Sequence, residues 1–190
     1  MKKILCILLL LLTGCSSKTS MIEIQKHVYV EKEFKDSWLE TNEFGDSYIK
    51  EELQGGYHYH FDQQFLEIFF NTDGKIELYN YSIKKNDLII SGEMIPPKTI
   101  RLVHPHLDNV TSEGVIIHEL GHYFDEKHQF SSSKQFTELY KKYRTLFNQK
   151  TKKEYFAECF KEYVGGHQEK VKPFHSYMKT ITQKIRQKNK

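Results

Sequence analysis

The chain has 190 residues, a length that suits one domain around one core. Thirteen Phe, twelve Tyr and one Trp supply core-forming material beside 28% charged residues, which argues against wholesale disorder. The formal net charge is +3, and losing Lys2 and Lys3 with a leader takes it to +1; that balance argues against nucleic acid as a main partner.

The N-terminus reads as a targeting segment. "MKK" is a charged start, and "ILCILLLLL" is an apolar run too short to span a bilayer comfortably. It ends in "LLTGC", which resembles a bacterial lipobox. That resemblance implies cleavage before Cys15, a lipid on its thiol, and a chain held at the extracytoplasmic face of the cell membrane. The expected divisions are a signal peptide over 1–14, a lipidated Cys and polar tether over 15–21, and one domain over 22–190. Cys6 then leaves with the leader, and Cys159 is the remaining free thiol, so no intramolecular disulfide is expected in the mature chain.

A helix is expected around residues 34–53, broken near Gly45, with "QGG" (54–56) closing it. Residues 57–103 read as β. "FLEIFF" (65–70) and "KIELYNY" (75–81) flank "NTDG" as a hairpin would. "DLIIS" (87–91) follows, then "MIPP", an extended stretch poor in hydrogen-bond donors. "TIRLVH" (99–104) is the last strand. The pattern then turns helical over 111–128, 133–148 and 151–164, with N-caps from Ser131–Ser133 and from Thr151. "VGG" (164–166) stops the third helix, and a final helix follows Pro173 to about residue 187. Lysines crowd this end (Lys172, Lys179, Lys184, Lys188, Lys190) and read as a solvated face. Strands followed by helices indicate an α+β domain: a small, mostly antiparallel sheet and then a helical half.

The chemistry is concentrated in "GVIIHELGHYFDEKH" (114–128). At about 100° per residue, His118, Glu119, His122 and Asp125 share one side of a helix. Ile116, Ile117, Leu120, Tyr123 and Phe124 form an apolar back. Gly121 lies between, where a missing side chain lets another element come close. Two imidazoles one turn apart can grip one Zn²⁺. A Glu beside the first can take the proton of a water that zinc has acidified to a pKa of about 7.

Zinc needs a third protein ligand, and three residues compete. His128 completes HExxHxxxxxH, the metzincin spacing, but Asp125 stands where that signature has Gly, and Met178 lies in a helical context rather than a methionine turn. Glu154 and Glu158, in "KKEYFAECFKEYV" (152–164), are one turn apart on a second helix with an apolar back. One could ligate while the other accepts the free ring N–H of a ligand His. Glu154 also completes a capping box with Thr151. Spacing alone leaves the choice open.

HELGH, followed about thirty-five residues later by EYFAECF, resembles the catalytic domain of anthrax lethal factor and its small relatives, the Pro-Pro endopeptidases. The likeness covers about residues 95–165. It implies a zincin-like fold with one Zn²⁺ held by His118, His122 and Glu154, Glu119 as catalytic base and Glu158 as support to a ligand His. The family carries a Tyr seven residues before the ligand Glu, placed to steady an oxyanion. Here that residue is Phe147, and Tyr143, one turn earlier, is either the substitute or an ordinary core aromatic. The resemblance also implies a peptide or protein substrate, with a preference near proline. A substrate strand is expected along a sheet edge, with "TIRLVH" as that edge. His104, His106 and "GGYHYH" (55–60) either line the cleft or are ordinary polar positions. The expected activity is that of a zinc endopeptidase. The alternatives are a catalytically weak surface lipoprotein that binds a partner around a structural zinc, or an immunity or adhesion lipoprotein without metal.

Overall fold

The computed structural model describes residues 20–41, 45–85, 88–104, 113–149 and 151–188. The leader, Cys6, Cys15 and His106 lie outside the described residues. The chain forms an α+β domain in which a five-stranded sheet packs beside a helical half. Among the described residues, no helix is long and apolar enough to cross a membrane.

The sheet begins earlier than expected. "MIEIQ" and "VYVE" form β1 (Met21–Gln25) and β2 (Val28–Glu31), an antiparallel pair turning at His27. Both read with a period of two, and Val28 and Val30 point into the core. Next come α1 (Lys35–Leu39) and α2 (Tyr48–Gln54), separated across Gly45 as expected. Gly55, at φ 86°, ends α2 at "QGG". A side chain there would meet Ile117 Cδ1 at 2.7 Å.

"FLEIFF" is not a strand. It forms α3 (Gln64–Phe70), with Phe65, Leu66, Ile68 and Phe69 buried. Those positions are i, i+1, i+3 and i+4, the one-sided pattern of a helix, with Glu67 left exposed; so short a run of five apolar residues and one Glu fits either period, and neighbouring packing decides. "NTDG" therefore closes a helix rather than a hairpin. Asp73 takes φ 58°, and Gly74 lies so close to the Phe69 ring that a Cβ would stand 2.6 Å from it.

β3 (Lys75–Tyr79) follows, then a small hairpin of β4 (Ile83–Lys85) and β5 (Leu88–Ile90), then β6 (Gly92–Ile95) and β7 (Thr99–Val103). The main sheet runs β1-β2-β3-β7-β6. Its two central pairings, β2–β3 and β3–β7, are parallel, and the outer two are antiparallel. The sheet is thus mixed rather than mostly antiparallel. The helices α1–α3 supply the long connection that a parallel β2–β3 neighbour needs. "TIRLVH" is not the edge: β7 lies between β3 and β6. "MIPP" supplies the edge strand, with Met94 opposite Ile100 and Ile95 opposite Thr99.

The helical half comprises α4 (Val115–His128), α5 (Lys134–Tyr143), α6 (Lys152–Val164) and α7 (His175–Lys188). Ser133 Oγ caps α5 by accepting from Phe136 N, and Thr151 Oγ1 caps α6 by accepting from Glu154 N. The apolar back of α4 is buried: Ile116, Ile117, Leu120 and Phe124 are inaccessible to solvent. It meets α6 through Phe124 and Phe160, whose ring centroids are 5.6 Å apart, with Phe65 of α3 against both. Gly121 is where the helices cross most tightly. A Cβ there would lie 2.9 Å from Ala157 Cα, so only hydrogen fits.

Candidate metal centre

That close crossing brings two polar helix faces together. His118 and His122 are one turn apart on α4, and Glu154 and Glu158 one turn apart on α6. Glu154 Oε2 is 3.3 Å from His118 Nε2 and 3.3 Å from His122 Nε2. The ligand atoms of His118, His122 and Glu154 all lie within 4.8 Å of one another. Metal–ligand bonds of about 2.0–2.1 Å in a tetrahedron place ligand atoms roughly 3.4 Å apart. The two measured histidine–carboxylate separations have the length of such edges, so the donor set fits one zinc ion.

The electrostatics favour a cation. Burial works against the His118 imidazolium, but hydrogen bonds with Glu154 and Glu158 and the charge of Glu119 outweigh it and lift its pKa to about 9. Hydrogen bonds from His118 and His122 hold the Glu154 carboxyl far below the usual range. A pocket that holds positive charge on an imidazole this strongly also attracts a divalent ion.

Glu158 does not face the same point as Glu154. Its Oε2 is 3.2 Å from His118 Nδ1, the ring nitrogen turned away from the cluster. Donation from Nδ1–H to Glu158 leaves Nε2 facing Glu154, as an N–H donor in the imidazolium and as a lone pair able to ligate once that proton is lost. Glu119 is buried, at 6% exposure. Burial pushes its carboxyl pKa up, opposed by the two histidines and by a hydrogen bond from the Met94 backbone N–H on β6.

A cleft of about 550 Å³ runs past these groups, with β6 (Gly92, Glu93, Met94) on one wall and His118, Glu119, His122 and Glu154 on the other. A second hollow of about 330 Å³ adjoins it at His118 and Glu119, bordered by Ile89, Glu113 and Lys161.

The remaining sequence candidates lie elsewhere. The His128 ring packs on Phe130 at 5.1 Å and lies outside the cluster. Asp125, at the position the metzincin signature gives to Gly, instead accepts hydrogen bonds from Ser131 N (2.6 Å) and Ser131 Oγ (2.7 Å), tying down the turn after α4. Met178 is buried in α7. Tyr143 packs on Phe174 at 6.1 Å, and Phe147 on Tyr155 at 5.3 Å. Neither lines the cleft or the adjoining hollow. His104 is buried between Trp38 and Tyr48, its Nε2–H donating to Ser37 O at 3.1 Å, and locks β7 to α1 and α2. "GGYHYH" is a loop whose His60 N–H donates to Gly165 O at 2.8 Å; it borders a separate hollow. Cys159 is buried and free.

Sequence reasoning missed Lys161. Its ammonium is 2.6 Å from Glu158 Oε1. The available signal was its spacing, three residues after Glu158 and seven after Glu154, which puts all three on one helix face. It also missed Met94, whose role belongs to its backbone N–H and leaves no trace in side-chain identity.

No protein-family model matches the chain, and no curated protein matches it.

Proposed function

We propose that the protein is a zinc-dependent endopeptidase of the lethal-factor and Pro-Pro endopeptidase type, lipid-anchored at Cys15 on the extracytoplasmic face of the cell membrane. The observation that carries this reading is the convergence of His118, His122 and Glu154 beside a buried Glu119, on a cleft bounded by β6, the last strand of the sheet among the described residues. His118, His122 and Glu154 would hold the metal, whose chemistry when bound is Lewis acidity toward water and carbonyl oxygen.

The chain's own residues supply the rest. Glu119, beside the two histidines and facing the cleft, takes a proton on its carboxylate during attack and returns it to the leaving amine. Its burial favours holding that proton, and the Met94 N–H fixes the direction of the carboxylate. Glu158 keeps the His118 ring turned so that Nε2 faces Glu154. Just before β6, Ser91 O accepts from Val103 N, so along β6 the alternate peptide groups of Gly92 and Met94 turn away from β7. An extended peptide laid there would lie across His118 and Glu119. A preference for bonds near proline rests on the family resemblance.

Metal analysis of the purified protein, with cleavage of a peptide library with and without chelator, tests the reading. One zinc per chain, and cleavage lost with chelator and lost in Glu119→Ala, are the expected results. Cleavage surviving both changes rules the reading out.

A second reading is supported by the placement of Tyr143 and Phe147: a surface binding module with a structural zinc. Neither residue brings a hydroxyl to the cleft, and loss of one oxyanion donor costs about a hundredfold or more in rate. Stoichiometric zinc with no cleavage across the library would select this alternative.

A further inference from the structure

Lys161 is a charged group beside the centre to which neither the ligand set nor the base assigns a role. Its ammonium is 2.6 Å from Glu158 Oε1, while the other oxygen of that carboxylate is 3.2 Å from His118 Nδ1. Its side chain is 16% exposed. Nζ is also 3.7 Å from Glu162 Oε1 and 5.9 Å over the Tyr59 ring. Glu162 is itself fixed, accepting from Tyr59 OH at 3.1 Å and pairing with His167 Nδ1 at 3.0 Å and Lys170 Nζ at 3.1 Å. The ammonium is thus confined between two carboxylates and an aromatic face.

We propose that Lys161 is a positioning residue of the metal centre, acting through Glu158 to hold the His118 ring in its ligating orientation. This inference rests on the metal reading above. A carboxylate with a donor on each oxygen cannot turn freely. With Lys161 on Oε1, Oε2 stays toward Nδ1–H, which sets both the tautomer and the plane of the imidazole. Without Lys161, one oxygen of Glu158 loses the cation that holds it among the described residues, and the group can swing toward the adjoining hollow. The alternative, direct charge, carries the opposite sign. An ammonium near a dication repels it, so Coulomb repulsion alone makes removal of Lys161 tighten metal binding. Positioning makes removal weaken it.

The test measures Zn²⁺ affinity of the full chain in mild detergent, by competition with a chromophoric chelator, together with the visible spectrum of the Co²⁺ form. The proteins are wild type, Lys161→Met, Lys161→Arg, Glu158→Gln and the Lys161→Met/Glu158→Gln double variant. Lys161→Met is expected to weaken zinc binding about tenfold or more and to alter the Co²⁺ spectrum, while Lys161→Arg restores both. In the Glu158→Gln background, Lys161→Met should add little, because its route of action is gone. Unchanged or tighter binding in Lys161→Met overturns the inference alone, as does a full additional loss in the double variant. Absence of zinc binding by wild type overturns the metal reading and this inference together. Metal-free circular dichroism and melting establish that each variant folds; if Lys161→Met does not, Lys161→Gln carries the same comparison.

Discussion

Glu119 has a surrounding suited to a base and poor for an exposed polar residue. It is enclosed by α4 and β6, and its proton affinity is raised by burial and limited by two histidines. Glu119→Gln is expected to keep one zinc per chain and lower cleavage about 10²–10⁴-fold, separating base from ligand in one variant. His118, Glu119 and His122 were legible in the sequence because one helix and a fixed spacing define them. The division of labour between Glu154 and Glu158 was legible through the family resemblance alone, since spacing puts both on the same face of α6. Only the crossing of the helices turns one toward both Nε2 atoms and the other toward Nδ1. Burial, then the charges of Glu158 and Glu162, push the Cys159 thiol pKa well up. A maleimide is expected to leave Cys159 unmodified near pH 8 until denaturant is added, with mass spectrometry as the readout. His128 gives a pH prediction. Burial, then the charges of Lys188, Lys127 and Lys184, lower its pKa in the folded state. The unfolded chain therefore binds the extra proton first, and stability falls as pH drops through about 6.5. Melting of the metal-free protein on acidification should be less pH-dependent in His128→Gln than in wild type.

At the scale of elements, helix caps and stops were readable because each rests on a single local residue, as Ser133, Thr151 and Gly55 show. "FLEIFF" was not, because five apolar residues around the single Glu67 are too short a run to fix a period until α4 and α6 press on one side of it. The α4–α6 crossing is the joint on which the site depends. Gly121→Leu must displace Ala157 backbone, and is expected to cost about 1–3 kcal/mol or more. Because the same displacement separates His118 from Glu154, zinc affinity should fall with it, measured by chelator competition beside a denaturant melt.

For the whole molecule, the α+β class was legible from the change of hydrophobic period along the chain. The sheet order was not. Its parallel pairings join Val28 to Ile76 and Lys75 to Thr99, far apart in sequence, and no local signal records such partners. If zinc binds only the folded chain, it links the site to global stability. Saturation at a thousand times Kd adds roughly 4 kcal/mol, or about 8–16 °C for a chain of this size. Calorimetry with and without zinc checks this, and His122→Ala should flatten the difference.

The order of strands also sets apart two margins of the molecule. β1, the strand next to the proposed tether, occupies one margin of the sheet, and β6, the wall of the cleft, occupies the other. Four interstrand steps separate them, roughly 19 Å at the usual spacing. On the lipid-anchored reading, a tether joined at the β1 margin leaves the opposite margin, where the groove lies, clear of the junction, so a passing polypeptide need not thread beside the tether to enter it.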